Sequence, residues 1–172
     1  SADLEAYEQQ EGKKLLSNGA IVARKDYLDA YIAHKKSQDP NWSDVSATTP
    51  EGFIEMCLWV KEEYKLGGSN PTVCLSNFTS TGSNAIMWLS EYFMVPKEDE
   101  EGNLLNAESS NEYQEMLRFL NRLYRENLIT SGNLSANSSQ VSSYISNGYP
   151  FVVIASPQDY SGAFNTAYDK GI

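Results

Sequence analysis

Phe151-Val152-Val153-Ile154-Ala155, followed by Ser156-Pro157-Gln158-Asp159, is the stretch that decides the fold. An unbroken apolar run, β-branched through its middle and ended by a proline turn, predicts a short buried strand. Two weaker runs read the same way. Ala20-Ile21-Val22-Ala23 follows the turn signal Asn18-Gly19, and Thr72-Val73-Cys74-Leu75 follows Asn70-Pro71. Between these runs lie helices. Buried strands separated by helices predict an α/β chain, predominantly helical, with a small mixed or parallel sheet of short strands.

The helices carry their own signals. After Lys25-Asp26, the residues Tyr27, Leu28, Tyr31 and Ile32 recur at helical spacing, with Asp26 placed to cap them. Residues 37–50 read as a polar loop. Thr49-Pro50-Glu51 is a helix start: the Thr hydroxyl accepts from first-turn N–H groups, and Pro at the first helical position loses nothing. Phe53, Cys57, Val60 and Tyr64 then line one helix face, ending near Leu66 and Gly67-Gly68. Residues 85–94 form an apolar helix with Trp88 and Tyr92. Leu104-Leu105 reads as half of a small hairpin. Ser109-x-x-Glu112 has the form of a capping box, opening a helix striped by Tyr113, Met116, Leu117, Leu120, Leu123 and Tyr124. It closes at Asn127-Leu128-Ile129. Residues 131–139 read as a polar connector to a helix ending at Ile145, and a last helix runs through Phe164 and Tyr168.

Composition excludes several functions. The chain has 172 residues with 41% hydrophobic and 21% charged side chains, enough for a core without disulfides or a structural metal. Thirteen Lys and Arg against 23 Asp and Glu leave a net charge of −10, which repels phosphate backbones and anionic lipid, so no nucleic-acid partner is expected. A single histidine, His34, and two cysteines, Cys57 and Cys74, set in apolar runs cannot build a Ser-His-Asp triad, a Cys-His pair or a His-rich metal site. No metal, cofactor or catalytic residue is therefore assigned. Two-carboxylate chemistry is the one class this leaves open. Trp88 reads as core, Trp42 as a plug folding back from its loop, and Trp59 as packing on a second surface. His34 beside Lys35-Lys36 reads as an exposed helix end, and Glu98-Asp99-Glu100-Glu101 as a solvated turn. The Asn-x-Ser/Thr matches at Asn41, Asn77, Asn133 and Asn137 are those expected by chance in a chain rich in Asn and Ser. The chain opens Ser1-Ala2-Asp3 without an initiator Met, as a processed or excised piece would.

In open α/β sheets ligands sit beyond the carboxyl ends of strands. Two loops qualify. The first supplies Ser76, Asn77, Phe78, Thr79, Ser80 and Asn84; the second supplies Ser156, Gln158, Asp159 and Tyr160. Small hydroxyls and amides with an aromatic ring suit a neutral polyol or sugar, whose hydroxyls they match and whose apolar face a ring packs. The same composition also fits ordinary surface turns.

The order of motifs resembles bacterial extracellular solute-binding proteins of family 1, the maltose-binding-like receptors of ABC importers. Gly19-Ala20-Ile21-Val22-Ala23-Arg24-Lys25-Asp26-Tyr27-Leu28, then Thr49-Pro50-Glu51-Gly52-Phe53, is similar to their strand ending Y-x-K/R-D-x-L and their helix start P-x-T-W-D-E-F. Asn106-Ala107-Glu108 with the helix from Met116 to Ile129 resembles N-x-P-E followed by L-x-F-L-x-x-L-Y-x-E-G-L-I. Ile145-Ser146-Asn147-Gly148 with the 151–156 run resembles F-x-x-G-K-x-A-M. Pro50 stands where the family usually has Trp, Asn127 where it has Gly, and the loop carrying Trp42 is longer than typical. The resemblance implies a periplasmic-binding-protein type II lobe: residues 1–18 a lead-in, and 19–172 the second, helix-rich lobe, with the first lobe absent. It implies binding without chemistry of a small-molecule ligand, a sugar or oligosaccharide, for an ABC permease. It also implies an extracytoplasmic lipoprotein, with the two loops above on the ligand cleft. Two other readings stay open: a carbohydrate-acting enzyme using carboxylates, with Asp159 as its natural acid, and a helical protein-interaction module.

Overall fold

The computed structural model describes residues 20–43, 49–76 and 84–172. Their element order is β1 (Ala20–Ala23), α1 (Lys25–Gln38), α2 (Pro50–Glu63), β2 (Val73–Leu75), α3 (Ala85–Tyr92), α4 (Asn111–Arg125), α5 (Ser131–Leu134), α6 (Ser138–Ser146), β3 (Val152–Ala155) and α7 (Ser161–Asp169). The chain is mostly helical around one small mixed sheet, as the strand and helix signals predict.

The 151–155 run takes the centre of that sheet, in the order β1-β3-β2. β1 runs antiparallel to β3, with Ile21 opposite Ile154, and β2 runs parallel to it, with Cys74 opposite Val153. Side chains alternate across a strand, so the sheet has two buried faces. Val73, Leu75, Val152 and Ile154 join a core with Tyr31, Phe53, Trp88, Leu89, Met116, Phe119 and Leu123 from α1 to α4. Cys74, Val153 and Ala155 join a second core with Val141 and Ile145 from α6, Ala163 from α7 and Tyr160, which stands at the N-cap of α7. Helices on both faces explain why the 151–155 run carries no polar alternation. Trp42 folds back edge-on against Tyr31, with ring centroids 5.8 Å apart, as a plug should. Trp59 contacts Tyr31 and stacks on His34 at 4.7 Å, so His34 is half-covered and not a bare helix end.

Several local expectations are corrected. α1 begins at Lys25 and extends through Ser37 and Gln38. Arg24, not Asp26, holds the N-cap position; Asp26 lies inside the first turn and pairs with Arg24 at 2.6 Å. The cap of α4 is Ser110, whose hydroxyl accepts from the Tyr113 N–H at 3.1 Å; Ser109 closes a preceding 3-10 turn. The buried line of α4 is Met116, Phe119 and Leu123, while Leu117 and Tyr124 are exposed. Phe119 sets that rotation by packing against Phe53 and Phe93, with centroids at 5.7 and 5.4 Å. The polar stretch 131–139 is not a plain connector, since it holds α5 and the start of α6. Leu104 pairs with Glu98 in a single antiparallel bridge, a smaller hairpin than its sequence suggests.

Candidate functional site at the strand tips

Parallel pairing brings the carboxyl ends of β2 and β3 to one edge. The register Val73↔Val152, Cys74↔Val153, Leu75↔Ile154 carries on for one further bond, from the Ser76 N–H to the Ile154 carbonyl at 2.9 Å. Ser76 and Ser156 therefore leave the sheet from the same side. Both are buried, at 2% and 4% exposure. The Ser76 hydroxyl makes no hydrogen bond to any described residue. Such an unmet buried hydroxyl costs on the order of 1–3 kcal/mol; the Thr72 hydroxyl and the Trp88 indole N–H are likewise without a partner among the described residues.

The other expected site residues fall into three groups. Asn77, Phe78, Thr79 and Ser80 lie outside the described residues. Gln158 and Asp159 are exposed in the turn after β3, which is closed by the Asp159 N–H donating to the Ser156 carbonyl at 3.1 Å. Asn84 accepts from the Met87 N–H at 2.9 Å and so caps α3. Tyr160, read from the sequence as a stacking face, is 6% exposed and packs in the second core with Val153 and Ala163. The edge thus gathers Ser76 and Ser156, with Gln158 and Asp159 in the turn beyond, while Asn84 and Tyr160 have work in the fold itself.

What holds this edge was missed in the sequence. Asn133, fully buried, accepts from the Leu75 N–H through Oδ1 at 2.9 Å and donates from Nδ2 to the Leu75 carbonyl at 3.1 Å. Its own N–H donates to Thr130 Oγ1 at 3.1 Å, the cap of α5. One side chain therefore meets both backbone groups of Leu75 on the outer edge of β2, as a neighbouring strand would. A single Asn in a Ser/Asn-rich segment carries no pattern that would reveal this role. Of the described Asn-x-Ser matches, Asn133 is fully buried and Asn137 caps α6, accepting from the Gln140 N–H at 3.0 Å.

Two hollows lie elsewhere. One of about 560 Å³ opens on the aromatic face of the sheet, lined by Ile21, Tyr31, Trp42, Phe53, Tyr92 and Phe119 among others. The second, about 490 Å³, lies on the opposite face beside Arg24, Phe164 and Ile172. Neither is lined by the strand-tip residues.

The thiols offer no nucleophile. Cys57 and Cys74 are buried and unbridged. Burial pushes the Cys57 thiol far above its ordinary range, and the Cys74 thiol up to about 12 despite the Asn133 contact. Both stay protonated at neutral pH. No family model, curated protein or solved structure matches this chain.

Proposed function

We propose that this chain is the helix-rich lobe of an extracytoplasmic solute-binding receptor. It would capture a carbohydrate without altering any covalent bond and present it to an ABC permease. The single observation that carries the reading is the parallel β2–β3 pair, which sends Ser76 and Ser156 out from one edge, where the Ser76 hydroxyl has no hydrogen-bond partner among the described residues. Hydroxyl donors and acceptors at strand tips match a polyol's hydrogen bonds and need no charged or metal partner. The order of family motifs supports the same reading. In this account a first lobe closes over the strand tips, and burial of the sugar between two walls supplies most of the affinity. Membrane anchoring as a lipoprotein belongs to the same proposal.

A half-cleft binds weakly, so the test is nuclear magnetic resonance titration of the 172-residue chain at millimolar sugar. Glucose, maltotriose, cellotriose and xylotriose make up the panel. The expected result is a saturable shift of the Ser76 and Ser156 amides by at least one sugar, with little change in the amides lining the aromatic-face hollow. No shift at either serine with any of the four overturns the reading.

A further inference from the structure

We propose that Asn133 is a positioning residue for the strand-tip site, fixing Ser76 through the peptide that joins it to Leu75; this rests on the carbohydrate reading above. β2 is a three-residue edge strand, short enough to fray at its tip. The peptide unit between Leu75 and Ser76 is planar, so its carbonyl and its N–H turn together. Asn133 Nδ2 holds that carbonyl at 3.1 Å, and the Ile154 carbonyl holds that N–H at 2.9 Å from the opposite side. The plane is clamped across its width, and the clamp sets where the Ser76 Cα and its hydroxyl begin.

Among the described residues, the outer edge of β2 is otherwise met only at its start, where the Leu128 carbonyl accepts from the Thr72 and Val73 N–H groups, each at 2.9 Å. Leu128 at one end and Asn133 at the other stand in for a fourth strand, and the Asn133 end is the one next to the site. Only an amide side chain offers a donor and an acceptor side by side at peptide-like spacing. Asn133 is itself immobile: its N–H is held by Thr130 Oγ1 and its carbonyl accepts from the Ala136 N–H at 3.2 Å.

The test uses the panel sugar that moves the Ser76 amide furthest, titrated against wild type, Asn133→Leu, Thr130→Val and Val60→Ala. Asn133→Leu keeps the bulk but removes both the acceptor for the Leu75 N–H and the donor to the Leu75 carbonyl. Thr130→Val removes the hydroxyl that anchors Asn133. Val60→Ala, on α2, loses stability without touching the clamp. Weakening of roughly tenfold is expected for Asn133→Leu and roughly threefold for Thr130→Val, with Kd unchanged for Val60→Ala at a comparable loss of Tm. Hydrogen exchange at the Ser76 amide should quicken in the first two variants only. If Asn133→Leu folds and binds as wild type does, Asn133 serves the fold alone and the carbohydrate reading survives. Should that variant fail to fold, Thr130→Val decides in its place, and unchanged affinity there overturns the proposal. If wild type binds no sugar of the panel, the functional reading falls first and the positioning role falls with it.

Discussion

The two faces of the sheet are built by opposite means. Toward α1–α4 the core is made of large side chains, among them Tyr31, Phe53, Trp88, Met116, Phe119 and Phe151. Toward α6 and α7 it uses Ala136, Ala155 and Ala163 with Val141, Val153 and Ile145, and Tyr160 is its one buried aromatic among the described residues. Big rings bury much surface each and small residues little, and each face carries a hollow, about 560 Å³ beside the rings and about 490 Å³ beside α7. Small residues let helices approach closely, so an added side chain at a packed position such as Ala163 meets its neighbours at once. The same contrast separates tolerance of lost volume from tolerance of added volume.

Substitutions on each face test that contrast. Leu123, fully buried on the aromatic face, should lose about 2–5 kcal/mol on replacement by Ala, read as a lower urea midpoint with unchanged slope. Ala163→Leu, on the small-residue face, should cost about 1–3 kcal/mol by overpacking. A neutral Ala163→Leu would show that α7 has slack and would erase the distinction between the faces.

A smaller effect sharpens the picture at the start of α4. Ser110→Ala should cost about 1 kcal/mol, because the Tyr113 N–H loses its acceptor. Ser109→Ala should fall within about 0.5 kcal/mol of wild type, as its exposed hydroxyl only donates to the Asn106 carbonyl. The reverse order would restore the capping box that the sequence suggests.

The smallest expected effect belongs to the exposed edge of the molecule. The Arg24 guanidinium beside Asp26 holds that carboxyl below its ordinary value of 3.8. A folded-state pKa lower than the unfolded one contributes stability above about pH 4, and that contribution disappears as pH falls through the folded value. Asp26 is 56% exposed although Arg24 is only 22% exposed, and screening on the carboxylate side keeps the pair's contribution below about 1 kcal/mol. Asp26→Asn should therefore lower the urea midpoint slightly at pH 7, and the difference from wild type should shrink as the pH is taken below about 4 and the carboxyl protonates in the folded chain.

Much of the fold was legible because local chemistry is strong where it was read. Thr49-Pro50 starts a helix with the Thr49 hydroxyl accepting from the Gly52 N–H at 3.1 Å, as its residue types require. The 151–155 run forms a strand because its apolar residues leave no face for water. The errors arose where two neighbouring choices satisfy the same pattern. Ser109 and Ser110 are both cap residues, and only the backbone turn before α4 chooses between them. Helical spacing marks a stripe on α4 but not its centre line, which Phe53 and Phe93 fix by receiving Phe119. At the site, chain order pointed to the serines that follow β2 and β3. It could not tell that Tyr160 packs inward or that Asn133 closes the sheet edge, because both depend on partners far along the chain.

The amino-acid order alone settled which segments become strands and most of the helices, since apolar runs, caps and breakers act over a few residues. Tertiary packing alone settled that β2 lies parallel to β3, and hence that Ser76 and Ser156 share an edge. Strand direction and neighbours depend on where the intervening helices can bury their apolar faces. That is a property of the whole packed chain and of no segment within it.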